Sequence, residues 1–515
     1  MTSTHRIGRR AATVLVAIAA LTCGSVLALR AGIARADRAT VTISPKTVTR
    51  PLPQGFVGLA FTYSALTRWM SDRGPVDPVL VRLIRNLTPV GRPWLRIGGE
   101  SADRSWWPIS GYRKPTGITD ALGPAWTAIA HRLARATNAR LMLGLELQAD
   151  RPAIDRVEAR QLLQGVGRRY VQSFQIGNEP ELYPSIPWYR RLHGHSLVWY
   201  SHVGMPVYAR SRSYGPARFV AEVSRITRAI PRFPIAGPET NVPSWTQAFV
   251  RFLRPTGRVT TLTTHVYGVN NCIRDPRSID YPTISNMLSL HASRSLLRGM
   301  APYVSLVHAR RGSYRIDEMG AITCSGRPGV SDSMATALWA IDALFDAARH
   351  GVDGVNLHTD YERINNLFAL RFARGRWRAT VRPLYYGALL FERADPAGSR
   401  LLRVAGGTSR ALRVWASRRG HTVRVAIVND SLHSGGTIHL RLTSALRARS
   451  ATLQRLLAAR GRGAYATRGI TLGGRSFKTT GVLGAPRLTT LKGRGDEFTV
   501  GMPKGSAALL MINAR

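Results

Sequence analysis

Between residues 56 and 359 the sequence alternates eight times between short apolar runs and stretches of helical spacing. Runs at 56–63, 94–98, 140–147, 171–179, 234–239, 259–267, 313–318 and 351–359 read as strands. Amphipathic segments lie between them, at 78–87, 125–137, 158–170 and 217–230. The clearest is 331–350, where Met334, Ala337, Leu338, Ile341, Leu344 and Phe345 form one stripe. Strand–helix alternation demands crossover connections and hence a parallel sheet. Eight repeats over about 300 residues predict a closed (β/α)8 barrel, with 382–391 as its closing helix.

The texture changes after residue 397. Short apolar or alternating runs at 401–404, 411–416, 422–428, 437–442, 452–457 and 507–512, separated by Gly, Asn and Asp, predict an antiparallel β-sandwich. The alternating stretch 39–48 has no helix before the first barrel strand, so it is expected to cross over and join the sandwich. At 515 residues the chain has room for both units. The expected division is a leader at 1–36, a sandwich strand within 37–50, a catalytic barrel at 51–396 and the sandwich at 397–515.

Arg6, Arg9 and Arg10 precede an uncharged stretch at 11–29, and Ala34-Arg35-Ala36 offers small residues for cleavage. This is the layout of a secretory signal peptide, or of a membrane anchor if it stays uncleaved, and it predicts a secreted or envelope-associated protein. Cys23 would leave with it. Cys272 and Cys324 then remain in an oxidising compartment, and a disulfide between them is expected; closing a loop of about 50 residues is worth roughly 4 kcal/mol. The alternative is two buried free thiols. The formal net charge is +44, and only five of the 73 basic residues are Lys. Such a field favours polyanionic partners, although a codon bias toward Arg gives the same composition.

In a (β/α)8 barrel, reactive side chains gather where the strands end. Those ends carry Gly98-Gly99, Glu146, Asn178-Glu179, Glu239, His265 with Tyr267, Glu318, and His358-Thr359. Strands four and seven face one another across the mouth, so Glu179 and Glu318 can flank one scissile bond. Glycoside cleavage needs such a pair, one carboxylic acid to protonate the leaving oxygen and one carboxylate to attack the anomeric carbon. Glu179 is assigned the acid/base role because Asn178 beside it can bond the sugar 2-hydroxyl. Glu318 is the nucleophile, oriented by Tyr267. Glu181 is a rival acid that Pro180 is expected to turn away. Asp317 is expected on the helix-facing side of its strand, paired with Arg315.

These residues resemble glycoside hydrolase family 79, the β-glucuronidases and heparanase-like enzymes, within the clan of retaining (β/α)8 glycosidases. The carriers are Leu95-Arg96-Ile97-Gly98-Gly99-Glu100-Ser101-Ala102-Asp103, Gln175-Ile176-Gly177-Asn178-Glu179-Pro180, His265-Val266-Tyr267 and Arg315-Ile316-Asp317-Glu318. Gly354-Val355-Asn356-Leu357-His358 and Arg382-Pro383-Leu384-Tyr385-Tyr386-Gly387 follow. The resemblance implies a barrel with a sandwich that includes an N-terminal strand, retaining chemistry, and Asp103 near the sugar hydroxyls. Two departures bear on substrate. Thr323, Cys324 and Ser325, with Gly326 next, stand where relatives that grip a uronic acid place a Tyr and glycines. Thr62 stands where relatives often carry an acid. Tyr361 and the backbone near Gly326 are the candidates to bind a uronate carboxylate.

Trp106 and Trp107 read equally as a sugar-stacking wall or as interface residues. His265 reads as a hydrogen-bonded strand-end residue, because no ligand spacing surrounds it. No phosphate-binding glycine loop, metal or organic cofactor is implied. The expectation is a retaining β-glycosidase acting on a carbohydrate substrate that contains uronic acid. The alternative is a non-catalytic carbohydrate- or polyanion-binding protein on a barrel scaffold. No nucleic-acid motif accompanies the charge, so nucleic acid is not an expected partner; a membrane is one only if the leader is retained.

Overall fold

The computed structural model describes residues 37–514 other than 71–73, 362, 408, 410 and 449. The expected leader, with Cys23, falls outside the described residues. Eight parallel strands close into a barrel: Val57–Thr62, Trp94–Gly98, Arg140–Leu145, Val171–Ile176, Ile235–Gly237, Val259–Asn270, Ser313–Thr323 and Gly354–His358. Each pairs in parallel with the next, and the last pairs with the first through Val355–Val57 to His358–Ala60. Strands six and seven run several residues beyond their expected ends and stand above the rim. Their tips are joined by the Cys272–Cys324 disulfide.

Proline opens most of the barrel helices, including Pro78–Leu87, Pro124–Thr137, Pro152–Leu162, Pro216–Ala229 and Pro383–Ala394. Its fixed φ suits the first turn, where the missing N–H would have no helical partner. The helix Met334–Arg349 departs from the single stripe read in the sequence, since every residue except Arg349 is buried. A helix enclosed on all sides needs a second partner, and here that partner is the sandwich. Phe345 stacks on Trp415 with ring centres 5.2 Å apart, and Asp342 accepts from the Trp415 indole at 2.6 Å. Asp342 also pairs with the buried Arg413.

Ten strands form the second sheet, whose inward faces share one core including Val41, Ile43, Val425, Ile438, Phe498 and Leu510. The N-terminal strand Asp37–Thr47 sits inside it, antiparallel to Arg400–Gly407 and parallel to Gly436–Leu442. The sandwich therefore carries one parallel pairing in an otherwise antiparallel sheet.

Between barrel strand four and its helix the chain inserts a three-stranded flap, Pro187–Leu192, His195–Leu197 and Met205–Tyr208. The sequence reading had no element there. From residue 183 through 221 the sequence contains no Asp or Glu but five Arg. The flap leaves Tyr200, Val203 and Met205 exposed.

Candidate active site

Glu179 follows strand four at φ 45°, in the left-handed region that an L-residue occupies only when its surroundings enforce it. The enforcement is local. Pro180 opens a single 3-10 turn, and the Glu179 N–H donates to the Glu239 carbonyl at 3.0 Å. Gly177 has φ 77°, and a Cβ there would lie 2.4 Å from the Tyr183 hydroxyl. Beneath the turn, Asp103 accepts from Leu147 N at 2.8 Å, Asn178 N at 3.1 Å and the Tyr183 hydroxyl at 2.7 Å. Asp103 is fully buried. It is therefore not a sugar contact but the brace of the turn carrying Asn178 and Glu179, with both carboxylate oxygens already taken by protein donors.

One oxygen of Glu179, one of Glu318 and a ring nitrogen of His265 all lie within 4.8 Å of one another. The two glutamate side chains keep 27% and 12% of their surface open. Tyr267 donates to Glu318 Oε1 at 2.5 Å, and its oxygen lies 3.0 Å from His358 Nδ1. His265 Nδ1 is 3.0 Å from Glu179 Oε1. Glu181 is half-buried and faces Thr240, with the charges of Glu179 and His265 acting on it.

At the centre stands a residue that the sequence reading quoted in a motif but did not assign to the site. The Arg96 guanidinium, 1% exposed, donates to Glu318 Oε2 at 2.5 Å, Glu239 Oε2 at 2.6 Å and Asn178 Oδ1 at 2.8 Å. By occupying the Asn178 oxygen it leaves that amide's N–H₂ as the group available to a ligand. Gly99 lets the backbone pass beside it, since a Cβ there would lie 3.2 Å from Arg96 Nη1. Glu239 was read only as a strand end. It is buried at φ 60° and is Arg96's second carboxyl partner.

Asp317 is the clearest correction. It is fully buried and accepts from Gln175 Nε2 at 2.5 Å, with His265 Nε2 at 3.8 Å. The register slips between Ile316 and Met319 on one side and between Thr264 and His265 on the other. Such a bulge breaks the two-residue alternation, so Asp317 and Glu318 both serve the interior. Arg315 bonds Asn356 and the Gly55 carbonyl instead. Glu146 also lies apart from the pair, fully buried, with Asp155 and Asp103 as its nearest charges.

The charges decide the protonation states. Burial pushes the Glu318 carboxyl up, but His358, His265 and Arg96, with the Tyr267 hydrogen bond, outweigh it and hold it well below the usual carboxylate range. Burial works against a charge on His265, yet Glu318 and Asp317 prevail and raise it well above the ordinary imidazole value. Glu239 is pushed up to about 8, chiefly by burial and despite Arg96. The site thus presents an ionised Glu318 beside a cationic His265 and Arg96. Two carboxylate–histidine clusters, Glu179-His265-Glu318 and Glu239-His265-Asp317, have the compactness of metal sites. The Arg96 guanidinium already supplies, between Glu239 and Glu318, the positive charge that an ion would bring.

Tyr361 and Gly326 sit on adjoining loops. Arg68 lies 4.7 Å over the Tyr361 ring, and the Gly326 carbonyl accepts from Asn271 at 2.8 Å. Arg363 donates to Ser325 Oγ at 3.0 Å and ties the two loops together. Thr62 donates to Asp360 Oδ1 at 2.7 Å, so a carboxylate reaches the first-strand position from the loop after strand eight. Trp106 packs in a buried cluster with Ile118 and Ile154, and Trp107 lies half-buried against the main core.

The fold has counterparts. The chain superposes on a 4-O-α-L-rhamnosyl-β-D-glucuronidase from Fusarium oxysporum 12S with TM-score 0.64 and 17% identity, covering 92% of this chain and 99% of that one. A GH51 arabinofuranosidase from Xanthomonas axonopodis pv. citri gives 0.63 and 14%, with the same coverage. An α-L-arabinofuranosidase from Thermotoga maritima gives 0.60 and 13%, again covering 92% and 99%. The chain has the fold of these glycosidases. No protein-family model and no curated protein matches it.

Proposed function

We propose that the chain is an exported retaining β-glycosidase of the family 79 type, acting on β-glucuronides. The observation that carries this reading is the approach of Glu179 and Glu318 oxygens to within 4.8 Å. Retaining enzymes hold their carboxyl groups roughly 5–5.5 Å apart, whereas inverting ones need roughly 6.5–9.5 Å to admit a water. In the first step a Glu318 oxygen bonds the anomeric carbon as the glycosidic C–O bond breaks, and Glu179 gives its proton to the departing oxygen. In the second, Glu179 takes a proton from water, the resulting hydroxide bonds the anomeric carbon, and Glu318 leaves as carboxylate. Arg96 and Tyr267 hold the nucleophile ionised and aimed. In this reading the Asn178 amide bonds the 2-hydroxyl as oxocarbenium character develops.

The uronide preference is supported by the acid-free flap beside Glu179, by Tyr361, Gly326 and Arg363 at the rim, and by the glucuronidase among the superposed structures. A panel of aryl β-glycosides tests both levels. The purified enzyme should release phenol from the β-glucuronide at least tenfold faster than from the β-glucoside, and Glu318→Gln should lose 10³-fold or more on the same substrate. Equal rates for wild type and Glu318→Gln across the panel would refute the hydrolase reading. Activity on glucoside alone would refute only the sugar.

A further inference from the structure

A cavity of about 610 Å³ lies where helices Pro78–Leu87 and Pro383–Ala394 meet sandwich strands Thr422–Asn429, Ser450–Leu457 and Ser506–Asn513. The helical residues that reach it belong to the later turns of both helices. In a (β/α)8 barrel helices run against the strands, so these turns lie at the face opposite Glu179 and Glu318. The volume is that of a small-molecule site.

Five arginines border this cavity. Arg82 and Arg85 are occupied by backbone carbonyls, of Thr480 and of Gly91 and Thr137 respectively. Arg393, Arg419 and Arg424 have no ion-pair or hydrogen-bond partner among the described residues, and Arg424 Nη1 is both buried and unpartnered. Gln454 is 2% exposed, and its Nε2 likewise has no acceptor. Leaving a buried donor unsatisfied is costly, and an acceptor entering the cavity would return that cost.

The neighbouring acids do not fill that role. Glu392, on the cavity wall, is pushed up to about 8 by burial and by Asp395, so it is largely neutral at pH 7. Asp395 accepts from Ser399 Oγ inside the protein, and although its charge acts on Arg424 it makes no ion pair or hydrogen bond with it. An anion is what the donors lack. The rest of the lining is aliphatic, with Leu389, Leu483, Leu509 and Met511 and no aromatic ring. That wall suits a flexible hydrocarbon rather than a sugar ring, whose usual platform is aromatic. Three guanidiniums lining one cavity suit a phosphate monoester, which carries more than one charge near neutral pH and can accept several forked pairs.

We propose that this cavity binds an anionic amphiphile, with a phosphate head group on Arg393, Arg419, Arg424 and the Gln454 amide and an aliphatic chain along Leu389, Leu509 and Met511. The site is separate from the glycosidase centre and stands or falls independently of it. Titration calorimetry on the whole protein tests it with decyl phosphate below its micelle concentration, inorganic phosphate and decyl maltoside. Decyl phosphate should bind at least tenfold more tightly than inorganic phosphate, and the maltoside should not bind. Arg419→Gln and Arg424→Gln should each weaken decyl phosphate tenfold or more without changing the circular dichroism spectrum. Equal affinity for the two phosphates would remove the aliphatic half of the site and overturn the proposal. So would undiminished binding by the double variant. Co-sedimentation with phosphatidic acid vesicles distinguishes a lipid head group from a free alkyl phosphate. Binding to vesicles without binding to monomeric decyl phosphate would place the interaction on the surface, outside the cavity, and would also overturn it.

Discussion

Tyr267 is where one hydrogen bond bears most directly on the proposed nucleophile. Its hydroxyl donates to Glu318 at 2.5 Å and helps hold that carboxyl ionised. Removing the donor leaves His358, His265 and Arg96 in place, so Glu318 stays a carboxylate near neutrality but loses its aim. Tyr267→Phe should therefore lower kcat by about 10–10² while KM changes little. Because a stabiliser of the charged form is lost, the Glu318 pKa rises, and the acid limb of kcat/KM should move to higher pH. A pH–rate profile of the variant checks this; an acid limb that stays put would show that the hydroxyl does not tune the nucleophile. Arg96 makes a sharper case, since it compensates Glu239 and Glu318 inside the barrel. Arg96→Met should destabilise the fold by about 3–5 kcal/mol, because it strands the ionised Glu318 and leaves Glu239 without its donor. Adding Glu318→Gln should recover part of that loss in urea unfolding, and no recovery would mean that Glu318 is not the stranded charge.

At the scale of elements, the turn after strand four is held from below by Asp103. Asp103→Asn keeps one carbonyl acceptor but turns an N–H₂ toward donors from Leu147, Asn178 and Tyr183. The expected result is a fall in kcat of about 10-fold or more, as the proposed acid/base carboxyl loses its fixed position, together with a lower thermal midpoint. Unchanged kcat with a lowered midpoint would separate fold support from positioning. The same element shows what a sequence reveals and what it hides. The strand count, the sandwich with its N-terminal strand, and the pairing of Cys272 with Cys324 were legible, because hydrophobic period and cysteine number are local properties of the chain. Glu179 and Glu318 were legible as candidates because strand ends converge by topology. Asp103 as brace and Arg96 with Glu239 as the buried core of the site were not, because each acquires its role only when three strands meet. Asp317 misled for a different reason: the two-residue alternation that placed it outside is broken by a bulge visible only in the pairing. The flap at 187–208 lacks any strong period and gave no signal.

For the molecule as a whole, buried acids set the pH dependence of stability. Glu239 and Glu392 are pushed up to about 8, Asp430 to about 7, and Asp77, Asp103 and Asp395 to about 6, with burial the largest cause in each. A carboxyl with a raised folded-state pKa favours the protonated native form. Its contribution is complete below the unfolded value and is lost as pH rises through the folded value. His265, also raised, loses its contribution in the same direction. Glu318 is shifted the opposite way, so its stabilisation is present above the ordinary carboxylate value and is lost only on acidification. Between pH 5 and 8 the Glu318 contribution is constant while the others decline, and the folded state should weaken steadily. The +44 formal charge opposes this trend slightly as exposed histidines discharge, and 0.15 M salt, with its Debye length of about 8 Å, screens that repulsion. Urea midpoints in that salt should fall from pH 5 to pH 8. Glu392→Gln removes one titrating group far from the mouth and should flatten the slope by up to about 1.4 kcal/mol per pH unit without altering hydrolysis. A midpoint that rises over this range would mean that the buried carboxyls find counter-charges when they ionise.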